Sequence, residues 1–105
     1  MSVPEIDVQT LASERSAGRR VFDVREPDEY EEIRVSDVVL VPLADVPEEI
    51  EQFEGTDTVY VICRSGSRSR NAVRFLRANG IDAVNVAGGM LAWVEAGLPT
   101  ETGPR

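Results

Sequence analysis

The sequence predicts an α/β domain with a mainly parallel sheet, and three observations carry that expectation. Short apolar runs alternate with helical patterns along the chain. The run Val59-Tyr60-Val61-Ile62 is apolar at every position, as a strand buried on both faces of a parallel sheet requires. The 105 residues, 42% of them hydrophobic, fit one compact domain with a core of its own.

Element by element, a weak first strand is expected near Glu5 to Asp7, with Asp7 capping a helix through Ser16 that Gly18 ends. Val21 to Val24 reads as a strand, and Pro27 opens a short helix through Glu32. Val38 to Val41 reads as a strand stopped by Pro42, and Leu43 to Phe53 as a helix. The clearest helix runs from Ser69 to Asn79, with Ala72, Val73, Phe75 and Leu76 on one side and Arg70, Arg74 and Arg77 on the other. Ala83 to Val86 reads as the last strand, and Met90 to Ala96 as the last helix, ended by Gly97. Residues 1–105 form one unit with its core at about 4–99, and the Pro/Thr/Gly-rich end, 100–105 above all, is expected to be loosely held.

Composition excludes several chemistries. There is no histidine, hence no Ser-His-Asp triad, Cys-His dyad or histidine metal site. A single cysteine, Cys63, cannot form an internal disulfide or hold a structural zinc, and the lack of lysine removes Schiff-base chemistry. The sequence implies neither metal nor organic cofactor. A net charge of −8 argues against nucleic acid. No apolar run is long enough to span a membrane, and the N-terminus lacks a signal-peptide pattern. With its free thiol, the chain is expected in the reducing cytoplasm, as a small monomer.

The chemistry concentrates in Cys63-Arg64-Ser65-Gly66-Ser67-Arg68, between the buried strand and the strongest helix. Ligands bind there in open α/β sheets, where strand ends face helix N-termini. Gly66 can take positive φ, and the small Ser65 and Ser67 let successive N–H groups turn inward as an anion cradle with Cys63 at its base. Such surroundings lower a thiol pKa from about 8.5 into the range ~3.5–7.5. A helix terminus supplies about 0.3–1 kcal/mol, whereas each tenfold gain in ionisation takes about 1.4 kcal/mol. N–H hydrogen bonds and arginine charge must therefore contribute as well. The thiolate can attack a sulfane sulfur to form a persulfide. A lone cysteine ending a strand can equally be inert core.

These residues resemble the rhodanese-like domains. Val21-Phe22-Asp23-Val24-Arg25-Glu26 with Glu29-Tyr30 resembles their opening signature, and Cys63 to Ser69 their active-site loop. Pro42-Leu43 matches the proline-leucine after the third strand. Val86-Ala87-Gly88-Gly89-Met90 with Trp93 resembles their closing motif. The resemblance implies a three-layer domain, with a parallel five-stranded sheet flanked by helices on both faces. It implies a sulfurtransferase in which Cys63 carries a persulfide. It also implies that Arg64 and Arg68 attract an anionic donor such as thiosulfate, and that the N–H groups of residues 64–68, through Ser65, Gly66 and Ser67, hold the sulfur and the anion. The acceptor that the resemblance implies is a thiol, cyanide or a sulfur-carrier protein. Ser69 completes the motif. Asp23 and Arg25 either border the pocket or, the favoured reading, brace the neighbouring turn and pair with Glu29. Trp93 reads as core packing, and Gly88-Gly89 as a tight turn. One departure stands out: where many relatives carry Gly-His-Ile-Pro-Gly-Ala, this chain has Ile33-Arg34-Val35-Ser36-Asp37-Val38.

Two other functions remain open on the residues. Cysteine-dependent phosphatases and arsenate reductases use a longer Cys-x5-Arg cradle; the Cys-x4-Arg spacing of Cys63 and Arg68 favours sulfur. A non-catalytic binding module is the third reading, against which the intact Ser/Gly/Arg loop speaks.

Overall fold

A computed structural model of the chain describes residues 2–104. Its strands are β1 (Glu5–Ile6), β2 (Val21–Asp23), β3 (Val39–Leu40), β4 (Val59–Ile62) and β5 (Ala83–Val86). Its α-helices are α1 (Val8–Ser16), α2 (Pro27–Glu32), α3 (Ser67–Ala78) and α4 (Gly89–Glu95). The sheet has five strands in the order β1-β5-β4-β2-β3, and every pair is parallel.

Strand β4 sits at the centre with all four residues buried, so its continuous apolar pattern serves two cores. Val59, Val61 and Cys63 face a cluster with Ala72, Val73 and Leu76 of α3. Tyr60 and Ile62 face the opposite cluster, with Leu11 of α1 and Met90 and Trp93 of α4. This period-two division produces the three-layer architecture.

Local signals end and start the helices. The Thr10 N–H donates to Asp7 Oδ1 at 2.8 Å, capping α1. The Glu26 N–H donates to the Glu29 carboxylate at 3.0 Å in a capping box that opens α2 with Pro27. Trp93 is buried, and its indole N–H donates to the Pro99 carbonyl at 2.8 Å.

Four expectations need correction. Leu43 to Phe53 is not one helix but two 3-10 turns, Leu43–Asp45 and Ile50–Phe53. Pro47 lies between them; it lacks an N–H and its ring would clash with the carbonyl of residue 43 in an α-helix. The segment is still anchored, since Phe53 is fully buried with its ring centroid 4.1 Å from that of Phe22. The third strand spans only Val39–Leu40, the two residues that pair with Phe22 and Asp23 of β2 at the edge of the sheet. Helix α3 starts at Ser67 rather than Ser69, because Gly66 at φ +104° turns the chain straight into it. The C-terminal end is tied down as far as Gly103, and Arg105 lies outside the described residues. Arg34 and Glu101 form an antiparallel bridge with N···O distances of 2.9 and 2.8 Å, and the Gly103 N–H donates to the Glu31 carbonyl. Arg34 holds the latch: its guanidinium donates to the Tyr30 and Gly103 carbonyls and lies over the Tyr30 ring.

Candidate active site

Strands β2 and β4 are neighbours, yet their onward connections run to opposite edges of the sheet, β2 to β3 and β4 to β5. The crevice between their carboxyl ends is therefore the topological switch point, where open α/β sheets bind ligands. Asp23 ends β2 there, and Cys63 follows β4.

The Cys63 loop closes on its own sulfur. The Gly66 N–H donates to Sγ at 3.1 Å, and the Ser69 hydroxyl donates at 3.3 Å. Ser69 is fully buried, whereas Arg64, Ser65 and Ser67 stand exposed on the rim. Cys63 is only 1% exposed, so the sulfur lies at the bottom of the cradle. Burial acts most strongly on the thiol and raises its pKa, but the Ser69 hydroxyl and the N–H groups of Ser69, Gly66 and Ser65 outweigh it, and the net shift is downward. The thiolate is thus stabilised chiefly by a hydroxyl and inward amides.

Arg68 is already engaged. Its guanidinium binds the Glu29 carboxylate in a two-bond fork, at 2.7 and 2.9 Å. With Arg68 as the main cause, the Glu29 carboxyl is held at about 2. Among the described residues Arg64 has no carboxylate partner. Asp23 and Arg25 form a buried pair: Arg25 Nε lies 3.0 Å from Asp23 Oδ1, and Nη2 lies 2.9 Å from Oδ2. Arg25 also donates to the carbonyls of Glu29 and Ile33 at the end of α2. Arg25 thus both contacts the turn after α2 and borders the hollow beside the loop, and its carboxylate partner is Asp23, whereas Glu29 pairs with Arg68.

Two supports lie behind the loop: Asn85, which sequence reasoning passed over, and Gly89, which it read only as part of a tight turn. Asn85 of β5 is fully buried and donates to the Gly66 carbonyl at 3.2 Å and to Glu5 Oε2 at 2.7 Å. Glu5 in turn binds Arg70, so the first strand and α3 share one polar chain that ends on the cradle. The available signal was an amide in an otherwise apolar buried strand. Gly89 is the second. A Cβ there would lie 2.3 Å from the Cys63 carbonyl oxygen and 2.6 Å from that of Arg64. That approach lets the Met90 and Leu91 N–H groups donate to those two carbonyls, at 2.9 and 3.0 Å.

A cysteine in a short amide cradle at the end of a central parallel strand agrees with the sequence model of the rhodanese-like domain, which matches residues 7–96. The chain belongs to the rhodanese-like domain family. The rhodanese-like relatives include the Bacillus subtilis protein YtwF, 36% identical over 95 residues that cover 89% of this chain and 92% of that protein. An Allochromatium vinosum protein named a sulfurtransferase is 32% identical and covers 92% and 94% of the two chains. The crystal structure of a rhodanese-related protein from Thermoplasma volcanium superposes with a TM-score of 0.86 at 33% identity, covering 93% of this chain and 97% of that one. The five-stranded parallel sheet and its helices are those of the rhodanese-like fold. Among the described residues no helix is long and apolar enough to cross a membrane.

The contribution of Ser69 is measurable. A thiol whose pKa is depressed by its hydrogen bonds is alkylated at lower pH than an ordinary cysteine, with the rate rising as pH climbs through that pKa. Ser69→Ala removes the hydroxyl and should move the midpoint of the iodoacetamide rate profile upward by roughly 1 pH unit, since a hydrogen bond to a charged group contributes about 1.5–3 kcal/mol and the amides remain. An unmoved midpoint would mean that the hydroxyl does not hold the thiolate.

Proposed function

We propose that the domain is a sulfurtransferase in which Cys63 accepts a sulfane sulfur from a small anionic donor such as thiosulfate and passes it to a thiol, cyanide or a sulfur-carrier protein. The observation that carries this reading is the Cys63 sulfur receiving both the Gly66 N–H and the Ser69 hydroxyl. Family membership and a relative named a sulfurtransferase support it.

In the first half-reaction the Cys63 thiolate attacks the outer sulfur of thiosulfate. A Cys63 S–S bond forms, the donor S–S bond breaks, and its electron pair leaves with sulfite. In the second, cyanide or a thiolate attacks the outer persulfide sulfur, and the electron pair of the breaking bond returns to Sγ. Cys63 Sγ is the attacking thiolate in the first half-reaction and the leaving thiolate in the second, and the amides of Ser65, Gly66 and Ser69 are turned toward that sulfur in both. Arg64 meets the donor because its charge is uncommitted, while Arg68 acts through its fork to Glu29, which holds the loop against α2. Ser65 and Ser67 keep the rim small. A lone thiol that must stay free suits the reducing cytoplasm.

Intact-mass spectrometry after thiosulfate exposure tests this reading: one sulfur atom should be gained on Cys63, and none in Cys63→Ala. A wild-type protein that gains no sulfur from thiosulfate or from a persulfide donor would instead be a binding module. Arg64→Ala should slow loading by thiosulfate by roughly three- to tenfold, as loss of one screened charge–charge contact of about 0.7–1.4 kcal/mol implies, while alkylation by neutral iodoacetamide changes far less. Equal losses with the two reagents would remove Arg64 from donor binding.

A further inference from the structure

A concavity of about 400 Å³ lies beside the Cys63 loop, between the end of α2 and the outer side of α4. Its volume is within the range of small-ligand sites, about 300–1,000 Å³. Ile33, Met90, Leu91 and Val94 form its apolar wall. Leu91 and Val94 are 52% and 47% exposed, and they are two of only four large hydrophobic side chains left exposed among the described residues. Both stand in one hollow next to the reactive loop.

Backbone contacts couple this wall to the chemistry. Met90 and Leu91, which line the hollow, are the residues whose N–H groups hold the Cys63 and Arg64 carbonyls. The sulfur itself does not line the hollow; the Arg64 side chain does, at the junction with the loop. Charge is divided within it. Glu29 and Arg25 also border it, but are committed to Arg68 and Asp23. That leaves the uncommitted cation of Arg64 and the exposed carboxylates of Glu32 and Glu95.

We infer that this hollow is the acceptor subsite for a small neutral aliphatic thiol, with its sulfur at Arg64 and its chain against Ile33, Met90, Leu91 and Val94. The inference rests on the sulfur-transfer reading and names the acceptor class for it. Arg64 favours the thiolate form of the acceptor. The thiolate attacks the outer sulfur of the Cys63 persulfide, so an R–S–S bond forms while the bond to Sγ breaks. The electron pair stays on Sγ, under the Gly66 N–H and the Ser69 hydroxyl. No oxidant or reductant enters. Glu32 and Glu95 act against an acceptor whose chain ends in a carboxylate.

The test compares acceptors on one protein, so that only ratios are read. With persulfide-loaded protein, pentanethiol should outpace ethanethiol by roughly ten- to sixtyfold in kcat/KM, at about two- to fourfold for each of the three added methylenes it buries. Mercaptohexanoate should lose most of that advantage, and Glu32→Gln/Glu95→Gln should restore it. Leu91→Ser/Val94→Ser, at exposed positions, should flatten the ratio. A second arm needs no sulfur transfer: ethyl and pentyl methanethiosulfonates react with the unloaded Cys63 thiolate, each rate normalised to that of N-acetylcysteine. A pentyl preference lost in the double serine variant supports the hollow. A flat ratio in both arms, or a preference that survives the serine substitutions, overturns it. A protein that takes no sulfur yet shows the pentyl preference in the second arm keeps the chain-binding hollow and overturns the sulfur-transfer reading instead.

Discussion

Asp23→Ala is expected to destabilise the domain by about 3–5 kcal/mol, because it strands the Arg25 guanidinium without its counter-ion in a buried site. Asp23 is fully buried, Arg25 is 3% exposed, and they share three side-chain hydrogen bonds of 2.9–3.1 Å. Against a typical domain stability of about 5–15 kcal/mol, that loss leaves a marginal fold. At about 4–8 °C per kcal/mol, the thermal midpoint should fall by more than 10 °C. Urea denaturation gives the free energy directly. Replacing both partners, as in Asp23→Leu/Arg25→Met, should recover much of the loss, since no unpaired charge remains. A single-variant loss under 1 kcal/mol would show that water reaches Arg25 and that the pair is not the brace described above. The effect should extend to the site, because Arg25 also holds the carbonyls of Glu29 and Ile33, and Glu29 anchors Arg68.

Gly89→Ala should have an effect of similar size by a different route. The added methyl would meet backbone atoms at 2.3, 2.6 and 2.7 Å, and backbone cannot swing aside as a side-chain end can. The φ of +56° adds left-handed strain of about 1–2 kcal/mol, and overpacking adds about 1–3 kcal/mol. A total of roughly 2–5 kcal/mol follows. Relief by shifting the loop would pull the Cys63 and Arg64 carbonyls off the Met90 and Leu91 amides. The alkylation midpoint of Cys63 should then rise along with the loss of stability. Gly80→Ala provides the control: it has φ +81° but nothing within 4 Å of an added Cβ, so it should carry only the left-handed strain and leave the thiol unchanged. Gly89→Ala and Gly80→Ala behaving alike would show that the close approach of α4 to the loop is unimportant.

Much of the fold was legible because its signals are local. The unbroken apolar run of β4, the Asp7 cap, Pro27 at a helix start and the buried Ala72, Val73 and Leu76 of α3 each act through neighbours in the chain, although Phe75, expected on that same side, stands exposed. The same holds for the cradle, since its cysteine, glycine and serines are consecutive. The failures were also physical. Leu43 to Phe53 carries helical composition, but Pro47 breaks it into two turns held by Phe53. The tail reads as loose by composition, yet Arg34 captures it through the Glu101 bridge and the Gly103 carbonyl. No local pattern announces a partner almost 70 residues away.

Residue order alone was enough to establish an α/β layering, a single thiol with no histidine to activate it, and a Gly/Ser-rich loop that follows that thiol, because periodicity and composition act over a few residues. Folding settled the rest. It committed Arg68 to Glu29, left Arg64 without a carboxylate partner, ran Asn85 to Gly66 and set an apolar hollow beside Arg64 of the loop. Those choices depend on which surfaces the sheet order β1-β5-β4-β2-β3 brings together. Charge and hydrogen-bond partners are selected by distance in space, and separation along the chain does not encode that distance.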